Sequence, residues 1–345
     1  MRTKSLQLIG LIALAAAALY GQPTNGPVYW STTQPDCSLL SDINGQPETP
    51  VAITNSAGTT IGYSCYNAGT FVWLAAGGGW ATSVRVAAPS SAPVGVDYSF
   101  YDTSGNPLSV DTTGPSASGN DVNFALSANQ PVEVDLLGAT STAPNYSSTT
   151  VGSMYAIFFC PDAITCLNVL PQLIYSNLPS HPWSLSVPIA WDSLTWTQYS
   201  AEGVDDGGGH RVSLVVYNED LTATSFKVSV YNSAGTLIGS GTTPSIPPLQ
   251  NGGQGQGGTF GFQLSDVVKT PLPSGVFKIL VDGGSIFSAV EVLQFTGPSA
   301  TALQVGFDSA PTAAAPTVRI ATARPTVLRL RVESAAKSMF RGVQK

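Results

Sequence analysis

Apolar and polar residues alternate in short runs through most of the chain. Gly, Pro, Asn and Asp break the runs every eight to twelve positions or so, the signature of strands in a sandwich or barrel. Residues 94–100 are the clearest run. Val96, Tyr98 and Phe100 take one side and Asp97 and Ser99 the other, as a half-buried antiparallel strand requires. DTSGNP at 102–107 then supplies a turn in which Gly105 can take a positive φ. The first half has further predicted strands at 51–54, 60–66, 70–74, 80–86, 122–126, 132–136, 154–159 and 173–175. The second half has them at 187–191, 194–199, 210–216, 226–230, 260–264, 276–281 and 286–292. The last two are expected to form a hairpin across Asp282-Gly283-Gly284, and residues 251–258 (NGGQGQGG) a mobile loop. Helical periodicity is absent outside the N-terminal run, which favours an all-β chain.

The pattern is written twice. GGGHRVSLVV at 207–216 lies 130 residues after GGGWATSVRV at 77–86, and VYNSAG at 230–235 lies 130 after FYDTSG at 100–105. Over the 33 positions from Gly77 and Gly207, eight are identical: Gly77, Gly78, Gly79, Ser83, Val86, Ser99, Tyr101 and Gly105. Val96, Tyr98 and Phe100 answer to Phe226, Val228 and Val230. A shared triple glycine, tyrosine and turn glycine at one offset points to internal duplication. Outside that window, Phe260, Phe262 and Leu264 parallel Phe124 and Leu126. Leu293-Gln294-Phe295 likewise match Leu173-Ile174-Tyr175.

A length of 345 residues is natural for two domains, and 10% charged residues with many β-branched ones argue for folded β-structure. Arg2 and Lys4 precede an apolar run at 6–19 that is short for a bilayer span and ends in Ala16-Ala17-Ala18. That predicts a cleaved signal peptide over 1–21. No later run is long enough to cross a membrane, so no span is expected after signal removal. The expected organisation is a first β-sandwich at 22–178, a linker at 179–186 around PSHP, and a second β-sandwich at 187–310. An Ala/Pro linker and basic tail follow at 311–345. Between Gln22 and Val318 stand 20 acidic and five basic residues; from Arg319 onward stand seven basic residues and Glu333. The acidic body argues against nucleic acid as a partner, and the basic tail suits an anionic surface.

Four cysteines in an exported chain fit two disulfides, most simply Cys37–Cys65 and Cys160–Cys166, the second stapling a hairpin. The two histidines, His181 and His210, stand in no nucleophile motif, and no GxSxG occurs, so catalytic residues are not assigned. Asp205-Asp206, with Glu202 upstream, are the densest carboxylates; they suit a turn, a Ca²⁺ site or one half of a glycosidase pair. No other cofactor is implied. Triple glycine before a strand lacks the phosphate-loop pattern and suits a bulge or a close backbone approach. Trp183, Trp191, Trp196 and Tyr199 cluster at the joint and are the candidate ligand platform, with Trp73 and Trp80 near the first glycine triplet.

The GGGW/GGGH entries with their alternating strands, FYDTSGNPL and VYNSAGTLI, resemble secreted bacterial proteins built of tandem immunoglobulin-like or fibronectin-III-like sandwiches. The resemblance covers roughly residues 70–295. It implies adhesion, spacing or accessory binding at the cell surface or outside the cell, with an envelope polymer, glycan or protein as partner. The alternatives are a carbohydrate-binding module using the joint tryptophans and a secreted hydrolase using Asp205 or Asp206.

Overall fold

The computed structural model describes residues 29–41, 47–54, 58–77, 80–89, 91–113, 119–138, 149–177, 183–191, 197–250, 256–284, 288–297, 299–303 and 305–307. The expected signal peptide, the PSHP joint, Trp196 and the basic tail lie outside them. The described strands of the first half are β1 (Val51–Thr54), β2 (Thr60–Ala76), β3 (Trp80–Ala87), β4 (Val94–Asp102), β5 (Asp111–Thr112) and β6 (Asp121–Leu126). They continue with β7 (Pro131–Gly138), β8 (Thr150–Cys160), β9 (Gln172–Asn177), β10 (Trp183–Pro188) and β11 (Ala190–Trp191). The second half has β12 (Gln198–Gly203), β13 (His210–Asn218), β14 (Lys227–Tyr231), β15 (Leu237–Thr242), β16 (Thr259–Gln263), β17 (Phe277–Asp282), β18 (Ser288–Thr296), β19 (Ser299–Ala302) and β20 (Gly306–Phe307). Two helical turns, α1 (Ala163–Leu167) and α2 (Leu264–Val267), complete the described elements.

The chain is all-β, and its strands pair antiparallel in several sheets. Sheet β1-β2-β8-β4-β6 and sheet β10-β9-β3-β7-β5 enclose one core; sheet β15-β14-β17-β12-β20 and sheet β16-β13-β18-β19 enclose another. The order β2-β8-β4-β6 is matched by β12-β17-β14-β15, and β10-β9-β3-β7 by β19-β18-β13-β16. Side chains follow the same correspondence. Val84, Val86, Val96, Tyr98 and Phe100, and the residues 130 positions on (Leu214, Val216, Phe226, Val228 and Val230), are at most 1% exposed.

Several expectations are corrected by the pairing. Strands β17 and β18 are not a hairpin: β17 pairs with β12 and β14, β18 with β13 and β19. Phe277, Ile279 and Val281 thus meet Val292 across the core from opposite sheets, which a hairpin within one sheet does not allow. By register, Leu173 lies opposite Val84 and Val292 opposite Leu214, so the expected match of 293–295 with 173–175 is displaced by one residue. In strand order β16 answers to β7 rather than to β6, which moves Phe260 and Phe262 away from Phe124. Residues 183–191, divided by sequence between linker and second half, pair with β9 and β2 of the first half.

Both disulfides form as expected, Cys37–Cys65 and Cys160–Cys166, and Cys65 stands opposite Cys160 across β2 and β8. The second does not staple a hairpin. Asp162 caps α1 by accepting from the Thr165 amide at 2.8 Å and hydroxyl at 2.9 Å, so the bond ties the end of β8 to a helical turn. The first glycine of each triplet turns the chain: Gly77 and Gly207 have φ of 86° and 68°, and Gly77 exchanges two backbone hydrogen bonds with Trp80.

Strand β8 is buried on both faces, which explains why its residues run apolar without alternation. Met154, Ala156 and Phe158 face the inner core, while Tyr155, Ile157 and Phe159 pack under Tyr29, Val51 and Ile53. Asp97 shares the outward side of this sheet and is 4% exposed, so the expected solvent face of β4 is covered. On the inner side, the Tyr98 ring packs edge-on against Phe124 and Phe158, with centroids 5.7 and 6.3 Å away. Its buried hydroxyl has no hydrogen-bond partner among the described residues. A buried unpaired hydroxyl opposes folding. Tyr98→Phe is therefore expected to raise stability by about 1 kcal/mol, roughly 2–4 °C in thermal midpoint. A lower midpoint in a thermal melt would reject this reading.

Candidate functional site at the junction of the halves

The two halves differ most tellingly at outward positions of β3 and β13. The first half carries Arg85 there, largely exposed and paired with Glu133 on β7 at 2.8 Å. The second carries Val215, followed two positions on by Tyr217, so the run Leu214-Val215-Val216-Tyr217 is apolar on both faces. Val215 and Tyr217 join Ala289 of β18 and Val72 of β2 in a buried cluster that spans the halves. The outer face of the second half is thus seated on the longest strand of the first.

Polar contacts fix the register of this seat. Thr259 of β16 donates from its hydroxyl to the Val72 carbonyl at 2.7 Å and from its amide to the Thr103 carbonyl at 3.0 Å. Gly105, at φ +83°, turns against the Gln256 carbonyl, which occupies the space where a side chain would begin. Residues 256–258, expected at the end of a mobile loop, are buried in the seam; 251–255 lie outside the described residues.

A buried carboxyl closes the seam. Glu291 lies opposite Val215 in register and faces Tyr175 of β9, whose hydroxyl is 3.4 Å from Glu291 Oε2 and 2.5 Å from the Trp73 carbonyl oxygen. A phenol has one proton and a carbonyl can only accept, so Tyr175 donates to Trp73. The hydroxyl also reaches Glu291 Oε2, a weaker contact that favours the carboxylate and partly offsets burial. Burial nonetheless raises the Glu291 pKa to about 8, and burial together with the Glu291 charge raises that of Tyr175. Glu291 Oε1 has no hydrogen-bond partner among the described residues. Asp97 is a second such acid: burial, then the Asp121 charge, lifts it to about 7.

Next to this seam a cleft of about 260 Å3 opens between Trp73, Thr103 and Ser104 of the first half and Ser245, Pro247 and Phe260 of the second. Gly261 makes room for Trp73: ring atoms lie 3.1–3.3 Å from where a glycine Cβ would stand.

The residues singled out from sequence do not converge on one surface. Trp191 is half-buried and packs edge-on against Phe158 at 5.8 Å, while Tyr199 is 4% exposed and donates its hydroxyl to the Ser288 carbonyl. Trp183 and Trp196 have no described side chain. Asp205 is buried, with one oxygen accepting from the Gly207 amide at 3.1 Å and the other from the Val212 amide at 3.0 Å. Asp206 accepts from the Gly208 and His210 amides at 2.9 Å and meets the His210 ring at 3.0 Å. Hydrogen bonds from the His210 amide and ring and the Gly208 amide hold its carboxyl well below the usual range. These oxygens brace the glycine turn, and among the described residues no group of three or more His, Cys, Asp or Glu is placed to hold a metal ion. Glu202 lines a separate cleft with Tyr231 and Lys278. Sequence reading missed Glu291 and the Val215–Tyr217 face; the loss of alternation at 214–217 was the available signal. No family model, curated protein or solved structure matches the chain.

Glu291 and Asp97 are both acids whose folded pKa lies above the unfolded value. Their neutral forms leave stability intact at low pH, and stability falls as pH rises from about 4 to about 8, then levels. A tenfold difference in proton affinity between the folded and unfolded chain is worth at most about 1.4 kcal/mol. Glu291→Gln is expected to match the parent near pH 4, exceed it near pH 8, and flatten the profile between. Parallel midpoint–pH curves for the two proteins would contradict this.

Proposed function

We propose that the chain is an exported protein of two immunoglobulin-like sandwich modules, related by duplication, that works by contact at the cell surface or outside the cell. The matched strand orders and the coincidence of core residues at an offset of 130 support the duplication. The N-terminal charge and apolar pattern and two disulfides support export.

The observation that carries the reading is the apolar seat of Val215, Tyr217 and Ala289 on Val72. Modules joined only by a linker move independently, whereas a buried apolar interface makes one rigid body. Rigidity suits a spacer or adhesin, which must hold a binding face at a fixed distance. A contact role rather than hydrolysis is further supported by Asp205 and Asp206, whose oxygens are engaged with the amides of their own turn. The partner is an envelope polymer, a glycan or a protein, and the basic tail adds a salt-sensitive hold on an anionic surface.

Expression of the full chain in a bacterial host tests this. The expected product has lost its first twenty or so residues, is cut by protease added to intact cells or found in the medium, and scatters X-rays as one rigid particle. A chain stopped at Pro316 is expected to bind anionic envelope fractions less, with the difference vanishing at high salt. Retention of an unprocessed chain in the cytoplasm would sink the proposal.

A further inference from the structure

We infer that the cleft beside the junction is a binding site for a sugar unit of an uncharged glycan. This rests on the reading of the chain as an exported contact protein and names the class of ligand. Of the aromatic residues singled out from sequence, Trp73 lines the cleft, whereas Trp191 and Tyr199 of the expected joint platform do not.

Three features of the cleft carry the inference. First, among the described residues no charged side chain lines it, although the body holds 20 acidic residues against five basic. A site for an anion or cation needs an opposite charge or an array of aimed dipoles, whereas a neutral ligand needs neither. Second, its apolar surface, shared with Pro244, Ile246 and Pro247, presents two aromatic rings that are fixed in place. Trp73 is backed by Gly261, and its carbonyl is held by Tyr175; Phe260 stacks on Phe262 with centroids 5.4 Å apart and an interplanar angle of 23°. Rings fixed before binding lose little entropy on contact, and a ring face suits the C–H face of a pyranose. Third, the rim carries hydroxyls. Ser104 stands in a turn pinned by Asp102, which accepts from the Ser104 amide at 2.8 Å and the Asn106 amide at 2.9 Å. Thr103 is bound through its carbonyl to Thr259, and Ser245 lies on the opposite wall. A hydroxyl both donates and accepts, which matches ligands that are themselves hydroxyl-rich.

The volume of about 260 Å3 limits what enters. Small-molecule sites run to roughly 300–1,000 Å3, so the cleft suits one ring unit, a chain end or a branch. A proline-rich peptide also stacks on aromatic walls, but it offers few hydroxyl partners to Thr103, Ser104 and Ser245.

The test is a titration of the mature, oxidised full chain with neutral hexose oligosaccharides of α-1,4, β-1,4 and β-1,3 linkage. An anionic uronate oligosaccharide and a polyproline peptide run alongside. Tryptophan fluorescence and calorimetry read the binding. At least one neutral sugar is expected to bind saturably with a Kd of roughly 1 mM or tighter, and with little dependence on salt. Trp73→Ala is expected to weaken it at least about tenfold. Because Trp73 also packs against the junction, Ser104→Ala and Ser245→Ala are made in parallel. These exposed changes are expected to leave the melt unchanged and to weaken binding several-fold, while Trp191→Ala leaves affinity unchanged. Binding of no neutral sugar, binding only of the peptide or the uronate, or sugar binding indifferent to both serine changes would overturn the inference. Surface location, measured separately, decides the contact reading, so failure of either idea is told from failure of the other.

Discussion

The seat of the second half on strand β2 is the constraint from which the rest of the structure follows. Val215 and Tyr217 of β13, with Ala289 beside them on β18, are presented on the side away from the core residues Leu214 and Val216, and they are buried against Val72 of β2. Exposed, such a face would be an aggregation hazard; covered, it fixes one half on the other. The close approach of Gly105 to Gln256, the hydrogen bonds from Thr259 to Val72 and Thr103, and the packing of Trp73 on Gly261 depend on that seat. So does the burial of Glu291, which a free second half would leave on an open face.

The two halves share strand order, yet they use their outer faces differently. In the first half β3 and β7 carry Arg85 and Glu133, a pair screened by solvent that contributes little to stability. In the second half the matching face is apolar and serves the junction. The first half instead covers the far side of its other sheet, where Tyr29, Val51 and Ile53 close over β8. Both halves therefore bury one sheet on two sides, but not the same sheet. This gives the protein a fixed polarity, with the disulfides near one end of β2 and the junction farther along that strand.

The polar chemistry follows the same economy. Asp102 and Asn232, 130 residues apart, each accept from two amides of their own turn, and Asp206 does the same before β13. Aspartates in such turns act as braces, holding backbone donors that the strand ladder leaves unpaired. Asp97 and Glu291 are different. They are buried without such amide partners in the described residues and are retained as acids, so they tie stability to pH rather than to geometry alone.

Much of this was legible in the sequence because strand formation is local. Alternation at 94–100, the turn residues 102–107 and the GGG-led strands specify which residues face a core, and the 130-residue offset specifies that this happens twice. The pairing of the cysteines likewise required no tertiary information. What the sequence could not decide was which sheet each strand joins. Strands β17 and β18 are neighbours in the chain, but their apolar residues face each other across the core. Nor could it decide what covers an outward face. Tyr199 and Trp191, expected as platforms, are packed inside or against the core, while Trp73 reaches the cleft because Gly261, nearly 190 residues later, leaves it room. Alternation marks which side of a strand is apolar, but burial of that side is a non-local event.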